Sequence, residues 1–149
     1  MQQAKAWQAA HPLEQYTNAR PWNGGCTQEQ LSWLQEQLAV ASSNQQQVMV
    51  ACHHPVAPTG TTQDEYLAWG YEQLLSILCD ASSPVKVVFG GHYHPGGHAC
   101  HEGVHFVVLE GVLEAPADSN AYAHVEVHGD KMLITGKGVA STRTLQLRA

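Results

Sequence analysis

The sequence predicts an α/β fold with a mixed sheet, and three features predict it. Two short, continuous apolar runs, residues 48–52 and 85–89, read as buried strands. A stretch with helical periodicity precedes each of them, giving the order helix, strand, helix, strand that crossover units produce. Beyond residue 103 the pattern turns to short runs, two of them flanking Gly129-Asp130, a two-residue hairpin signal.

Taken in order, residues 1–22 are rich in Gln and Ala, with His11-Pro12 and Arg20-Pro21 as breakers, and hold a helical turn or two. Asn23-Gly24-Gly25 signals a turn. Thr27 then acts as N-cap, and Gln30 completes a capping box. Leu31, Leu34, Leu38 and Ala41 recur at helical spacing, so 28–41 is expected to be an amphipathic helix. Pro55 ends the first strand region, because proline cannot donate to a ladder. A second helix is expected from about Asp64, with Leu67, Tyr71, Leu74, Leu75 and Leu78 on one face. Strands are expected at 104–109, 121–128 and 131–135, and a last one through Thr144 to Leu147. Trp33, Trp69 and Tyr71 fit packing on helix faces, and His101, His105, His124 and His128 read as solvated.

Bulk properties narrow the function. At 149 residues the chain suffices for one domain with a sizeable core. A net charge of -6 and only seven basic residues argue against a nucleic-acid face. The longest apolar runs are strand-sized, far below the roughly 20 residues a membrane span requires. Four scattered cysteines with no C-x-x-C spacing, and no signal-like N-terminus, lead us to expect reduced thiols and a cytoplasmic location. Cys52 and Cys100 flank the histidine stretches, yet their spacing matches no standard zinc knuckle.

The chemistry gathers at the ends of the two apolar runs. The first leads into His53-His54-Pro55, the second into Gly90-Gly91-His92-Tyr93-His94-Pro95-Gly96-Gly97. The glycines around them bend the loop, and a glycine-bent loop lets the rings of His92 and His94 converge on neighbouring points. Neutral imidazole is the commonest metal ligand, and open α/β sheets place ligands at carboxyl strand ends. If the strands are neighbours, His53, His92 and His94 meet. Three imidazoles could hold one zinc-like ion. A two-metal site needs a bridging carboxylate, and none of the four aspartates has the spacing of a ligand.

A strand followed by His53-x-Pro55, and then Gly91-His92-x-His94, resembles the C-terminal half of the calcineurin-like metallophosphoesterases. Further stretches resemble one branch, the manganese-dependent ADP-ribose/CDP-alcohol diphosphatases. These are Asn23-Gly24-Gly25, Gln30-Leu31-x-Trp33-Leu34, Leu67-Ala68-Trp69-x-Tyr71, Gly96-Gly97, Glu110-Gly111-Val112-Leu113-Glu114 and Pro116-x-Asp118-Ser119-x-Ala121. The resemblance covers about residues 23 to 143. It implies a partial αββα sandwich with its N-terminal half missing, residues 1–22 being a lead-in and 23–149 the C-terminal half of the domain.

By that resemblance His53 and His92 bind one ion and His94 the other of a dinuclear centre, with manganese expected and zinc or iron as alternatives. His54 falls where the family has an apolar residue and is expected to be a neighbour only. Pro95 and His98 depart from the family pattern. The family's Asp-x-His, Gly-Asp-x-x-Asp and Gly-Asn-His are absent, since the one Gly-Asp, Gly129-Asp130, has Leu133 in the place of the second Asp. The implied substrate is a nucleoside diphosphate joined to a sugar or alcohol, and the implied partner is the missing N-terminal half. A chain without those carboxylates is expected to be inactive alone. A non-catalytic metal-binding module and another phosphoesterase of the superfamily are the competing readings.

Overall fold

A computed structural model describes residues 2–59 and 64–148. Helices α1 (Gln2–Ala10), α2 (Gln28–Ser43) and α3 (Tyr71–Cys79) accompany strands β1 (Val48–Ala51), β2 (Val85–Gly90), β3 (Gly97–His101), β4 (Val104–Val108), β5 (Ala121–Val127), β6 (Lys131–Gly138) and β7 (Arg143–Gln146). Single 3-10 turns occupy Asp64–Tyr66 and Val112–Glu114.

Helix α2 starts as the sequence predicts. The Gln30 amide donates to the Thr27 hydroxyl, and the Thr27 amide donates to the Gln30 side-chain carbonyl, closing the capping box. The second helix differs from expectation. It begins at Tyr71, because Gly70 takes a left-handed conformation with φ +63° and Trp69 pairs with the Asn23-Gly24-Gly25 segment. Leu67 is therefore buried from a non-helical segment. Strand β3 is not predicted by the sequence pattern. Its Gly-His-Ala-Cys-His composition carries little strand propensity, and it exists by pairing antiparallel with β4 along its whole length.

One four-stranded sheet runs β1-β2-β4-β3, with β1, β2 and β4 parallel. A second, antiparallel sheet runs β5-β6-β7. Between Val48 and Met49 the register shifts, leaving Lys86 as an extra residue in β2, so both Val85 and Val88 join the core on the helical side. That core unites Leu31 and Leu38 of α2, Leu74 and Leu78 of α3, and Phe106 of β4. The opposite face of the sheet places Val87 and Val107 against Met132, Ile134 and Leu145 of the second sheet. The layers are helices, mixed sheet, antiparallel sheet.

Arg148 fastens the second sheet to the strand ends remote from the histidines. Its guanidinium donates to the carbonyls of Val85, Glu102 and Ser83. Ile134 joins the two sheets and is almost fully buried. Ile134→Ala is expected to lower stability by about 2–5 kcal/mol, the usual cost of emptying a core site of this size. A shifted urea midpoint with an unchanged slope would report it.

Candidate metal centre

The carboxyl ends of β1, β2 and β4 lie side by side, and each leads into a loop carrying polar chemistry. The Gly91 amide donates to the His53 carbonyl at 2.9 Å, and the Gly111 amide donates to the His94 carbonyl at 2.9 Å, so the three loops are stitched together. Gly111 has to be glycine: a Cβ there would lie 2.6 Å from the His94 ring. His92 sits at φ +64°, and the Tyr93 amide donates to the Gly91 carbonyl across it at 2.7 Å. This is a γ-turn of the positive-φ kind, a strained geometry that concentrates at functional sites.

The ring of His53 lies 5.1 Å from that of His92 and 5.0 Å from that of His54, and His54 lies 4.5 Å from His92. One ring nitrogen from each of these three residues falls within 4.8 Å of the others. The structure thus brings together His53 and His92, as the sequence predicts, and adds His54, expected only as a neighbour. His94 stands beside the group on the wall of a groove of about 440 Å³, which His53, His92, Glu110, Val112 and Leu113 also line. Its Nδ1–H donates to Glu114 Oε1 at 2.7 Å, leaving Nε2 as its free lone pair.

Burial pushes the His92 imidazole below the ordinary histidine range, and the neighbouring rings of His54, His53 and His94 push the same way. Burial also lowers His54, partly opposed by the carbonyl of Trp22, which its Nε2–H reaches at 3.4 Å. Neutral imidazoles are what a cation requires. The donor set fits one divalent ion. It does not by itself fit a pair, since among the described residues no carboxylate joins the cluster.

Behind the groove, Glu110 accepts from the Ser141 hydroxyl at 2.5 Å and from Arg143 at 3.0 Å, tying the loop after β4 to β7. Burial raises the Glu110 carboxyl, but the hydrogen bonds from Ser141 and Arg143 outweigh it and the net shift is downward. A carboxyl depressed by folding stabilises the protein above its unfolded value and loses that contribution as pH falls through its folded value. The wild-type denaturation midpoint is therefore expected to drop as pH falls below about 4.5, the ordinary value. Glu110→Gln should flatten that part of the curve; an unchanged acid limb would contradict this role.

Other histidines differ from expectation. His105 is buried: its Nε2–H donates to the Gln146 carbonyl at 2.7 Å, so its Nδ1 accepts from His98 at 3.0 Å. His101 reaches the Pro58 carbonyl, while His124 and His128 are exposed as expected. Trp33 is 60% exposed, not packed on a helix face. Trp69 stacks on Trp7 at 5.2 Å from a non-helical position. Cys52 and Cys100 join no metal-type cluster among the described residues; burial, with Cys26 nearby, pushes the Cys52 thiol up to about 11. In the sequence Asn23 reads only as a turn former. It is buried, and its Oδ1 lies 2.9 Å from His92 Nε2.

No family model matches the chain. A manganese-dependent ADP-ribose/CDP-alcohol diphosphatase of Oryza sativa subsp. japonica is 40% identical over 116 residues, which is 77% of this chain and 36% of that protein. The Homo sapiens protein of the same name is 38% identical over 128 residues, 85% of this chain and 37% of that one. A dimetal phosphatase from Danio rerio superposes with a TM-score of 0.82 at 33% identity, covering 92% of this chain and 43% of its own. The chain is a homologue of part of these diphosphatases. It spans a little over a third of the length of the curated relatives it matches. Its layered α/β arrangement with a mixed sheet is that of a metallophosphoesterase-like fold, as the diphosphatase resemblance implied.

Proposed function

We propose that this chain is the C-terminal, metal-binding portion, residues 23–149 with 1–22 as lead-in, of a hydrolase that cleaves the pyrophosphate of ADP-ribose or CDP-alcohols. The carboxylates that complete its centre lie outside these 149 residues. The observation that carries the reading is the meeting of His53 and His92, 5.1 Å between ring centres, at the ends of adjacent parallel strands. The relatives' names supply the substrate class and the metal.

In this reading His53 and His92 hold one ion and His94 the second, with manganese the expected metal. Bound as a pair, such ions would lower the pKa of a shared water toward about 7 and polarise phosphoryl oxygens. The chain's own residues do the positioning. His53 and His92 present ring nitrogens, and Glu114 turns the lone pair of His94 to Nε2. Val112 and Leu113, the latter 80% exposed, offer an apolar rim to the groove for the nucleoside end of the substrate.

The sandwich is also open on one side, which fits a larger whole. Met49 and Ala51 pair in register with Val87 and Phe89 and face the second sheet, yet Met49 is 53% exposed. Val125 and Val127 share the inward face of Met132 and Ile134 but are 38% and 55% exposed. Additional strands from the rest of a longer protein would cover this strip. Among the described residues no helix is long and apolar enough to cross a membrane.

The lack of a carboxylate in the cluster favours a second reading, a metal-binding module without catalysis. A substrate panel on the protein completed with a family N-terminal half separates the readings. We expect manganese-dependent release of AMP from ADP-ribose or CMP from a CDP-alcohol. Preferential hydrolysis of simple phosphomonoesters would point to another phosphoesterase, and no hydrolysis at all would favour the module.

A further inference from the structure

We infer that Asn23 is a positioning residue that fixes the tautomer of His92 and so selects Nδ1 as the nitrogen His92 offers to a metal ion. The inference rests on the reading that His92 is a ligand, and it goes beyond that reading by naming the atom and what sets it. The orientation of the Asn23 amide follows from its partners. Its Nδ2 lies 2.8 Å from the carbonyl of Asn18 and 2.6 Å from the carbonyl of Glu65. Carbonyl oxygens only accept, so that end of the amide must be the NH2 group. The other end, Oδ1, is then an acceptor, and it lies 2.9 Å from His92 Nε2. His92 must carry its proton on Nε2. A neutral imidazole has one N–H and one lone pair, so the lone pair is on Nδ1.

The surroundings make this assignment rigid. Asn23 is 6% exposed, and its neighbour Asn18 is buried as well, donating to the Ala68 carbonyl at 2.9 Å. The Trp69 amide donates to the Gly24 carbonyl, which pins the backbone beside Asn23 to the segment that precedes α3. Flipping the amide would set its carbonyl oxygen against the carbonyls of Asn18 and Glu65 around a buried side chain, a cost of the kind that keeps buried amides in one orientation. His92 is moreover at the strained apex of its turn, so the contact with Asn23 also holds a backbone geometry that few residues favour. His94 receives the opposite assignment, since Glu114 takes its Nδ1–H. The two histidines of one loop therefore present different nitrogens, which lets rings one residue apart serve different points.

The test is long-range proton–nitrogen NMR of the histidine rings in the metal-free 149-residue chain, followed by titration with Zn2+, which is diamagnetic. The expected wild-type result is a neutral His92 ring with the proton on Nε2, and a shift confined to Nδ1 when Zn2+ binds. In Asn23→Ala the single tautomer should give way to a mixture, and Zn2+ affinity by calorimetry should fall about 10–100-fold, the range seen when the partner of a ligating histidine is removed. Asn23→Ser, with a hydroxyl that can still accept, should keep part of the preference. A wild-type proton on Nδ1 would overturn the inference and leave the proposed function standing. The Nε2 tautomer with no response of either His92 nitrogen to Zn2+ would overturn His92 as a ligand, and with it the proposed function. If Asn23→Ala fails to fold, the wild-type spectrum alone still decides the tautomer.

Discussion

The 149-residue chain on its own is expected to hydrolyse ADP-ribose at least about 10³-fold more slowly than a protein completed with the N-terminal half, a difference of roughly 4 kcal/mol in the barrier. The reason is electrostatic. Two divalent cations about 4 Å apart repel by roughly 16 kcal/mol at an effective dielectric of about 20, four times the unit-charge value. Three neutral imidazoles carry no charge to offset this, and no carboxylate stands in the cluster among the described residues. One ion can be held, but the water shared between two ions has nowhere to form. Initial rates of AMP release, measured with and without manganese on the chain and on the completed protein, check this. Turnover by the short chain within tenfold of the completed protein would show that the missing carboxylates are not needed.

Replacing a ligand is expected to cost more than replacing a supporting residue. In the completed protein, His53→Ala and His92→Ala should each weaken manganese binding by more than ~100-fold, above the 10–100-fold that loss of a partner behind a ligand typically costs. His94→Ala should weaken the second ion by a similar factor. His54→Ala should change affinity by no more than about twofold, although its ring lies 4.5 Å from His92. Its Nε2–H is engaged with the Trp22 carbonyl, and the family resemblance gives this position to an apolar side chain. Calorimetric titration of the four variants checks the set. An equal loss at His54 would mean that the neighbouring imidazole, not His53 alone, serves the ion.

Much of the fold was legible because it rests on short-range patterns. The runs at 48–52 and 85–89 are strands, β2 buried on both faces and β1 turning Val48 and Val50 to the helical core, and Thr27 with Gln30 caps α2 as the spacing predicts. The hairpin at Gly129-Asp130 is equally local, closed by the His128 amide on the Lys131 carbonyl. Features that depend on distant partners were not legible. Strand β3 has weak propensity and exists because β4 offers it an edge. His105 is buried because β7 supplies a carbonyl 41 residues later in the chain. The Asn23 contact spans 69 residues, and nothing in Asn-Gly-Gly distinguishes a turn former from a partner of His92.

Whether His53 and His92 share one metal ion is the claim on which the account depends. Anomalous scattering from crystals of the 149-residue chain soaked in Zn2+ tests it most directly. The account predicts a single strong peak with both imidazoles at bonding distance, about 2.0–2.1 Å, and His92 attached through Nδ1. A peak touching only one of these two residues, or an ion bound elsewhere with the histidine loops empty, would contradict it.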